Sequence, residues 1–185
     1  MSRIHNVFLA DPDDPSRQAG MDSAFKSLIW IDIPHHEIHD GHSFILAATQ
    51  TALGDGDTFT LTCTTPNTTK WLHSVFGGIG LYEYYLKVYE NPTVDTPGSA
   101  VTPVNRNRNS ANTSGATFTV DDVLTSPGTL IFENYVTSGR RVGGLGEQRQ
   151  EYILKQNEQY VFHLESDRAA NILTGVLEWY EHTNS

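Results

Sequence analysis

A single cysteine, Cys63, stands in the 185-residue chain. It excludes an internal disulfide and any CxxC zinc pattern, so the fold is expected to need no oxidising compartment. Charge is scarce too. Asp, Glu, Lys and Arg make up 18% of the residues, less than in an average soluble domain, and acids outnumber bases 22 to 12 for a net charge of −10. A nucleic-acid binder displaces counterions with a basic surface, so this balance argues against nucleic acid as a partner. No apolar run approaches the roughly 20 residues of a membrane-spanning helix. The opening stretch carries Asp11, Asp13 and Asp14 where a signal peptide would be apolar. The expectation is a soluble chain made in the cytoplasm, with no membrane partner.

What is abundant is Thr, Ser, Asn and Gly, alongside 38% hydrophobic and 10% aromatic residues. Thr suits strands, Asn and Gly suit turns, and the apolar fraction suffices for one core. Residues 1–25 read as an arm, because Asp11-Pro12-Asp13-Asp14-Pro15 continues neither a helix nor a central strand. From residue 26 to 185 one domain is expected. Leu28–Ile33 reads as its first strand, ended by Pro34, and Ser43–Ala48 as the next. After the turn Gly54-Asp55-Gly56-Asp57, the run Thr58–Thr64 alternates almost strictly and puts Phe59, Leu61 and Cys63 on one face. Trp71, His73 and Val75 alternate again, until Gly77-Gly78 interrupts. Leu81–Glu90 reads as a strand on its tyrosines. Residues 91–116, with Pro92, Pro97 and Pro103, read as an irregular loop of a length that suggests an interaction role. Thr117–Val120 and Thr129–Val136 read as strands, with one helical turn over Asp121–Leu124 between them. Glu151–Lys155, Gln159–Glu165 and Ile172–Tyr180 close the set. Nine or ten short strands without a helix of normal length leave an all-β sandwich or barrel.

The densest chemistry is His35-His36-Glu37-Ile38-His39-Asp40-Gly41-His42. Read as a strand, it turns His35, Glu37 and His39 to one side, which makes His35, His39 and His42 weak candidates for a metal such as a cupin holds. The second half of a cupin pattern is missing, because His73 lacks the Gly-x-x-His context, so no metal or other cofactor is expected. No Gly-x-Ser-x-Gly elbow occurs, and the Gly77–Gly80 and Gly143–Gly146 runs lack the dinucleotide and P-loop fingerprints. The expectation is a protein that is not an enzyme. Charge placement says more. Arg106 and Arg108 lie in one loop, and Arg140, Arg141 and Arg149 in or beside another. No acid occurs between Gly98 and Val120, or between Asn134 and Gly146. Arg forks bind carboxylates bidentately, so these five residues are candidates for docking to an acidic protein surface. Trp30, Trp71, Trp179, Tyr82, Tyr84, Tyr85 and Tyr89 are candidates for a core, a subunit contact or a sugar platform.

The order His35–Gly41, then Asn105-Arg106-Asn107-Arg108, then Glu151-Tyr152-Ile153-Leu154-Lys155-Gln156-Asn157 with Tyr160, then Leu177-Glu178-Trp179-Tyr180-Glu181-His182, resembles the head decoration (capsid cement) proteins of tailed bacteriophages. The resemblance spans about residues 26–183. It implies a jelly-roll-like antiparallel β-sandwich on the outer surface of the virion head. Such a subunit is often a homotrimer, and it contacts the major capsid protein and its sister subunits to bridge capsomers against internal DNA pressure. It also implies synthesis in the host cytoplasm and no catalysis. Related sandwiches occur in fibres and baseplates, so a carbohydrate-binding virion module is the alternative, and a cupin-like metal-binding protein the less favoured one.

Overall fold

The computed structural model describes residues 33–137 and 151–183. The chain divides into two compact units, Met1–His36 and Glu37–Ser185. The arm, the expected Leu28–Ile33 strand up to residue 32, and the Ser138–Gly146 loop lie outside the described residues.

One short helix opens the described chain, α1 (Ile33–His39). Pro34 sits in its first turn, where a missing N–H costs nothing. Gly41 ends it with φ +73°, while Gly41 N–H donates to Ile38 O (3.1 Å) and His42 N–H to Glu37 O (2.9 Å). This is a Schellman cap, whose left-handed residue is usually Gly. Reading His35–His39 as extended strand is therefore overturned by a helix, which also takes in Ile33 and Pro34.

Among the described residues thirteen strands follow: β1 (Ser43–Leu53), β2 (Thr58–Thr64), β3 (Lys70–Gly80), β4 (Tyr84–Glu90), β5 (Thr93–Thr96), β6 (Ser99–Val101), β7 (Val104–Asn105), β8 (Thr117–Val120), β9 (Val123–Ser126), β10 (Thr129–Val136), β11 (Glu151–Leu154), β12 (Gln159–Ser166) and β13 (Asn171–Thr183). One sheet runs β11-β3-β13-β1-β7 and the other β10-β4-β12-β2-β8-β6, all pairs being antiparallel. Leaving out β5–β9, successive strands alternate between the sheets except for β4 and β10, which are neighbours in one sheet, and the orders are β11-β3-β13-β1 and β10-β4-β12-β2. That is the doubled Greek key of an eight-stranded jelly roll. The sequence-derived fold class is therefore the observed one.

The period-two pattern builds the core. Along β13 the residues Leu173, Leu177 and Trp179 point inward, and along β2 Phe59, Leu61 and Cys63 do so, each at most 2% exposed. Trp179 stacks on Phe44 (5.8 Å between centroids) and tilts against Phe118 (4.7 Å), and Phe76 meets Phe162 (4.7 Å). Each such side chain contributes about 1.5–3 kcal/mol by leaving water. Burial pushes the Cys63 thiol up, with the nearby Glu181 carboxylate adding to the shift, so it stays protonated in the core.

Four expectations fail here, three of them through pairing at long range. Residues 91–116 are not a structureless loop. β5 pairs with β9, β6 with β8, and β7 with β1. Asp121–Leu124 is not a helical turn: Asp121 takes φ +59° and Val123 enters β9. Gly77-Gly78 does not interrupt β3, which pairs with β13 from Lys70 to Gly80. The Tyr-rich strand begins at Tyr84, not at Leu81.

The insertion between β4 and β10 closes edges that would otherwise be open. β8 and β6 extend one sheet beyond β2, and β7 caps the other at β1. To connect them, the β5–β9 ribbon leaves β4 where Glu90 pairs with Thr129 and re-enters where Val120 pairs with Leu61. The inner side is core, so the ribbon crosses the outer face of the six-stranded sheet over β12 and β2. Asp122 marks the crossing, since its carboxylate accepts from the outward Thr119 hydroxyl (2.7 Å) and from Gly98 N–H (2.5 Å). On that outer face Val161, Thr60 and Thr62 are buried.

Candidate functional site

The outer face of the five-stranded sheet carries Trp71 and Ile79 from β3, Ile153 from β11 and Ile172 from β13, exposed by 38%, 42%, 51% and 40%. Trp71 and Ile153 stand at one end of this face and Ile79 and Ile172 at the other, and large apolar side chains exposed on one face mark a contact surface.

At one end of this face the β3–β13 register sets His73 opposite Tyr180 and Trp71 opposite His182. The His73 and Tyr180 rings stack at 4.6 Å, His182 tilts against His73 at 4.6 Å, and Tyr180 and His182 lie 5.7 Å apart. Glu151 on β11 closes the group. Its Oε1 accepts the Tyr180 hydroxyl at 2.9 Å and lies 2.8 Å from His73 Nδ1. A carboxylate only accepts, so the network assigns the imidazole proton to Nδ1. His73 Nε2 is buried without a hydrogen-bond partner among the described residues. The Tyr180 phenol is pushed well above its usual range, first by burial, then by donating to Glu151 and by the negative charges of Glu151 and Glu37. A phenol held neutral in this way is a poor base or nucleophile and a good fixed donor.

The predicted sites fall elsewhere. In α1 a helical period places His35 and His39 one turn apart and takes Glu37 off their face. The strand-based grouping of His35, Glu37 and His39 therefore dissolves. His42 turns its Nδ1 to Glu37 Oε2 at 3.2 Å. Among the described residues no three His, Cys, Asp or Glu side chains converge as a metal site.

Arg106 and Arg108 lie just past β7. Arg106 Nη1 is 3.5 Å from Glu178 Oε2, and Arg108 Nη1 donates to Asn105 O at 3.4 Å. Their loop is pinned by its own chain. Buried Asn105 donates from Nδ2 to Gly41 O (2.9 Å) and Asn112 O (3.1 Å), and Asn107 Nδ2 donates to His39 O (2.8 Å). Arg140, Arg141 and Arg149 lie outside the described residues, as does Trp30. Trp179 and Tyr84 belong to the core, whereas the Tyr82 ring lies under the Arg168 guanidinium at 4.7 Å.

A polar cleft of about 370 Å³ opens beside His42, Lys70, Asn112 and Glu181. Its buried Glu181 carboxylate is taken up by Ser114, Gly115 and Trp179. His73, Tyr180, His182 and Glu151 had no sequence signal as a group, since they lie on three strands.

Comparison with family models, with curated proteins and with solved structures found no match.

Proposed function

We propose that this chain is a virion structural protein, a decoration subunit that attaches to the outside of a phage head and stabilises it. One observation carries the reading: the outer face of the five-stranded sheet exposes large apolar side chains at both ends, Trp71 and Ile153 at one and Ile79 and Ile172 at the other. A rigid sandwich with one adhesive side suits repeated attachment to a shell. Many weak contacts multiplied by symmetry give firm binding through effective concentration. The interior speaks in the same direction. Jelly rolls also serve as cupins and lectins, and a cupin needs a ligand cavity between its sheets. Here that space is filled by Trp179, Tyr84, Tyr160, Phe59 and Phe162. The residue-level resemblance to decoration proteins supplies the partners, namely the major capsid protein and sister subunits in a homotrimer.

The test is addition of purified protein to phage heads that lack it. The expected result is saturable binding and a higher disruption temperature, both lost with Trp71→Asp or Ile153→Asp. Heads unchanged in stability at saturating protein would overturn the reading. A second reading is favoured by Trp71, exposed in register with His182 and near a fixed Tyr180–Glu151 pair, an arrangement on which a sugar ring stacks. A glycan array with the wild-type protein and Trp71→Ala decides it: binding lost in the variant supports it, and no binding by the wild type removes it.

A further inference from the structure

Five buried side-chain polar atoms lack a hydrogen-bond partner among the described residues, and four of them form one cluster: Thr60 Oγ1, Thr62 Oγ1, and both ring nitrogens of His163. Thr60 faces His163 in register across β2 and β12, and Thr62 faces Val161. Their neighbours Phe59, Leu61, Phe162 and Leu164 take the core side, so these polar side chains point to the outer face of the six-stranded sheet, where Asp121 at the root of the β5–β9 ribbon is bonded to the Thr60 backbone. Buried polar groups are nearly always paired, so an imidazole held with neither nitrogen engaged is an exception that calls for a role.

The charges around it are already committed. Lys87, in register with His163 on β4, pairs with Glu165 (2.7 Å) on β12 and Glu133 (3.5 Å) on β10. The Tyr89 ring lies 5.8 Å from the imidazole. On the ribbon, Asp122 is held by Thr119 and Gly98, Asp121 takes a backbone hydrogen bond from Thr60, and Asp95 faces solvent. The ribbon itself is lightly attached. Its register slips twice within four residues, and of its apolar side chains Val94 and Leu124 are only half-buried while Val123 is 56% exposed. Left-handed residues stand at both of its roots, Asn91 and Gly128 at one and Asp121 at the other. Segments with few buried contacts open locally at low free-energy cost.

We propose that His163 makes this crossing acid-labile: protonated, its ring is no longer accommodated under the ribbon, which lifts and uncovers the outer face of the six-stranded sheet. The direction of the imidazole's affinity agrees. Burial lowers it most and Lys87 lowers it further, against the pull of Glu165. Above the ordinary histidine range both closed and open forms are neutral there, and closure is unaffected. As pH falls through that range the open form binds a proton that the closed form refuses. Opening then grows by about tenfold per pH unit until the closed form's own lowered value is reached. The inference does not depend on what the protein attaches to.

Hydrogen exchange on the full chain tests it, between about pH 7.5 and about pH 5 and corrected for intrinsic rates. The expected result is that amides of 93–98 and 121–126 open about tenfold more per pH unit below about pH 6.5, while β2 and β12 amides hold. In His163→Gln the ribbon should show no such slope. An equal slope in the variant would overturn the proposal, as would β2 and β12 opening together with the ribbon. Should the variant not fold, the His163 ring proton followed by NMR in the wild type decides. Titration below the ordinary histidine range, in step with ribbon exchange, supports the latch, and titration at the ordinary value overturns it.

Discussion

Gly78 on β3 and Gly175 on β13 face each other in register, and together they let the second sheet press against the first. A Cβ at Gly175 would lie 2.7 Å from Leu61 Cδ1, and one at Gly78 would lie 2.8 Å from Leu164 Cδ2 and 2.9 Å from Tyr84 Cε2. Leu61 and Leu164 are completely buried and have nowhere to retreat. Gly175→Ala should therefore lower stability by about 1–3 kcal/mol through overpacking, measured as a lower urea midpoint. Adding Leu61→Val should recover part of the loss, because the new methyl meets the Leu61 Cδ1 atom. Strict additivity of the two changes would refute the contact.

Glu181 is buried beside Trp179 with no cationic partner among the described residues. It accepts from Ser114 Oγ at 2.7 Å, Gly115 N–H at 3.1 Å and Trp179 Nε1 at 3.2 Å. Glu181→Ala should cost about 2–4 kcal/mol, since it strands three donors of which the indole is fully enclosed. Glu181→Gln should cost less, because it keeps one acceptor oxygen. Chemical denaturation of both variants checks the order, and an Ala variant no weaker than the Gln variant would contradict it.

Asn105 fastens the 105–112 loop to the end of α1 through Gly41 O and Asn112 O, while its own Oδ1 accepts Asn107 N–H at 2.9 Å. Asn105→Asp replaces the donating amide with a carboxylate facing two carbonyl oxygens. The expected outcome is a loss of about 2–3 kcal/mol and faster hydrogen exchange confined to residues 105–115. Unchanged exchange there would show that the loop is held by something else.

The Tyr84 hydroxyl donates to Gly78 O inside the sandwich, and burial raises its pKa from the usual 10 to about 12. The folded state resists ionisation that the unfolded state permits. Stability should stay flat below about pH 10 and fall as pH rises from there towards about 12. Tyr84→Phe should flatten part of that fall while costing about 1 kcal/mol for the lost hydrogen bond. Urea midpoints between about pH 8 and about pH 11 give the comparison.

Wherever alternation was strict, the sequence told the truth. Phe59, Leu61 and Cys63 share one face of β2 and sit in the core as their spacing requires. The helix was also signalled, by Pro34 near its start and Gly41 just past its end, but that signature competes with the reading of Pro34 as a strand stop. Four histidines drew attention to side chains and away from the two residues that set the backbone.

The ribbon and the open face were hidden for a different reason. Thr93–Thr96 becomes a strand only because Val123–Ser126 lies beside it, and neither segment alternates strongly. His73 and Tyr180 are 107 positions apart and stack only because β3 and β13 pair in one register. No local property of either residue announces the other.

The places of β12 and β13 have a consequence for biogenesis. β13 lies between β3 and β1, and β12 lies between β4 and β2, so each sheet is joined through a strand that leaves the ribosome late. Until then the nascent chain holds four separate fragments, β11-β3, β1-β7, β10-β4 and β2-β8-β6, every one with a naked edge and an uncovered apolar side. Closure pairs residues more than a hundred positions apart, as Ser43 with Tyr180, a route that is slow and prone to aggregation. Shortened translation products should accumulate as insoluble material, and finished subunits should appear all at once.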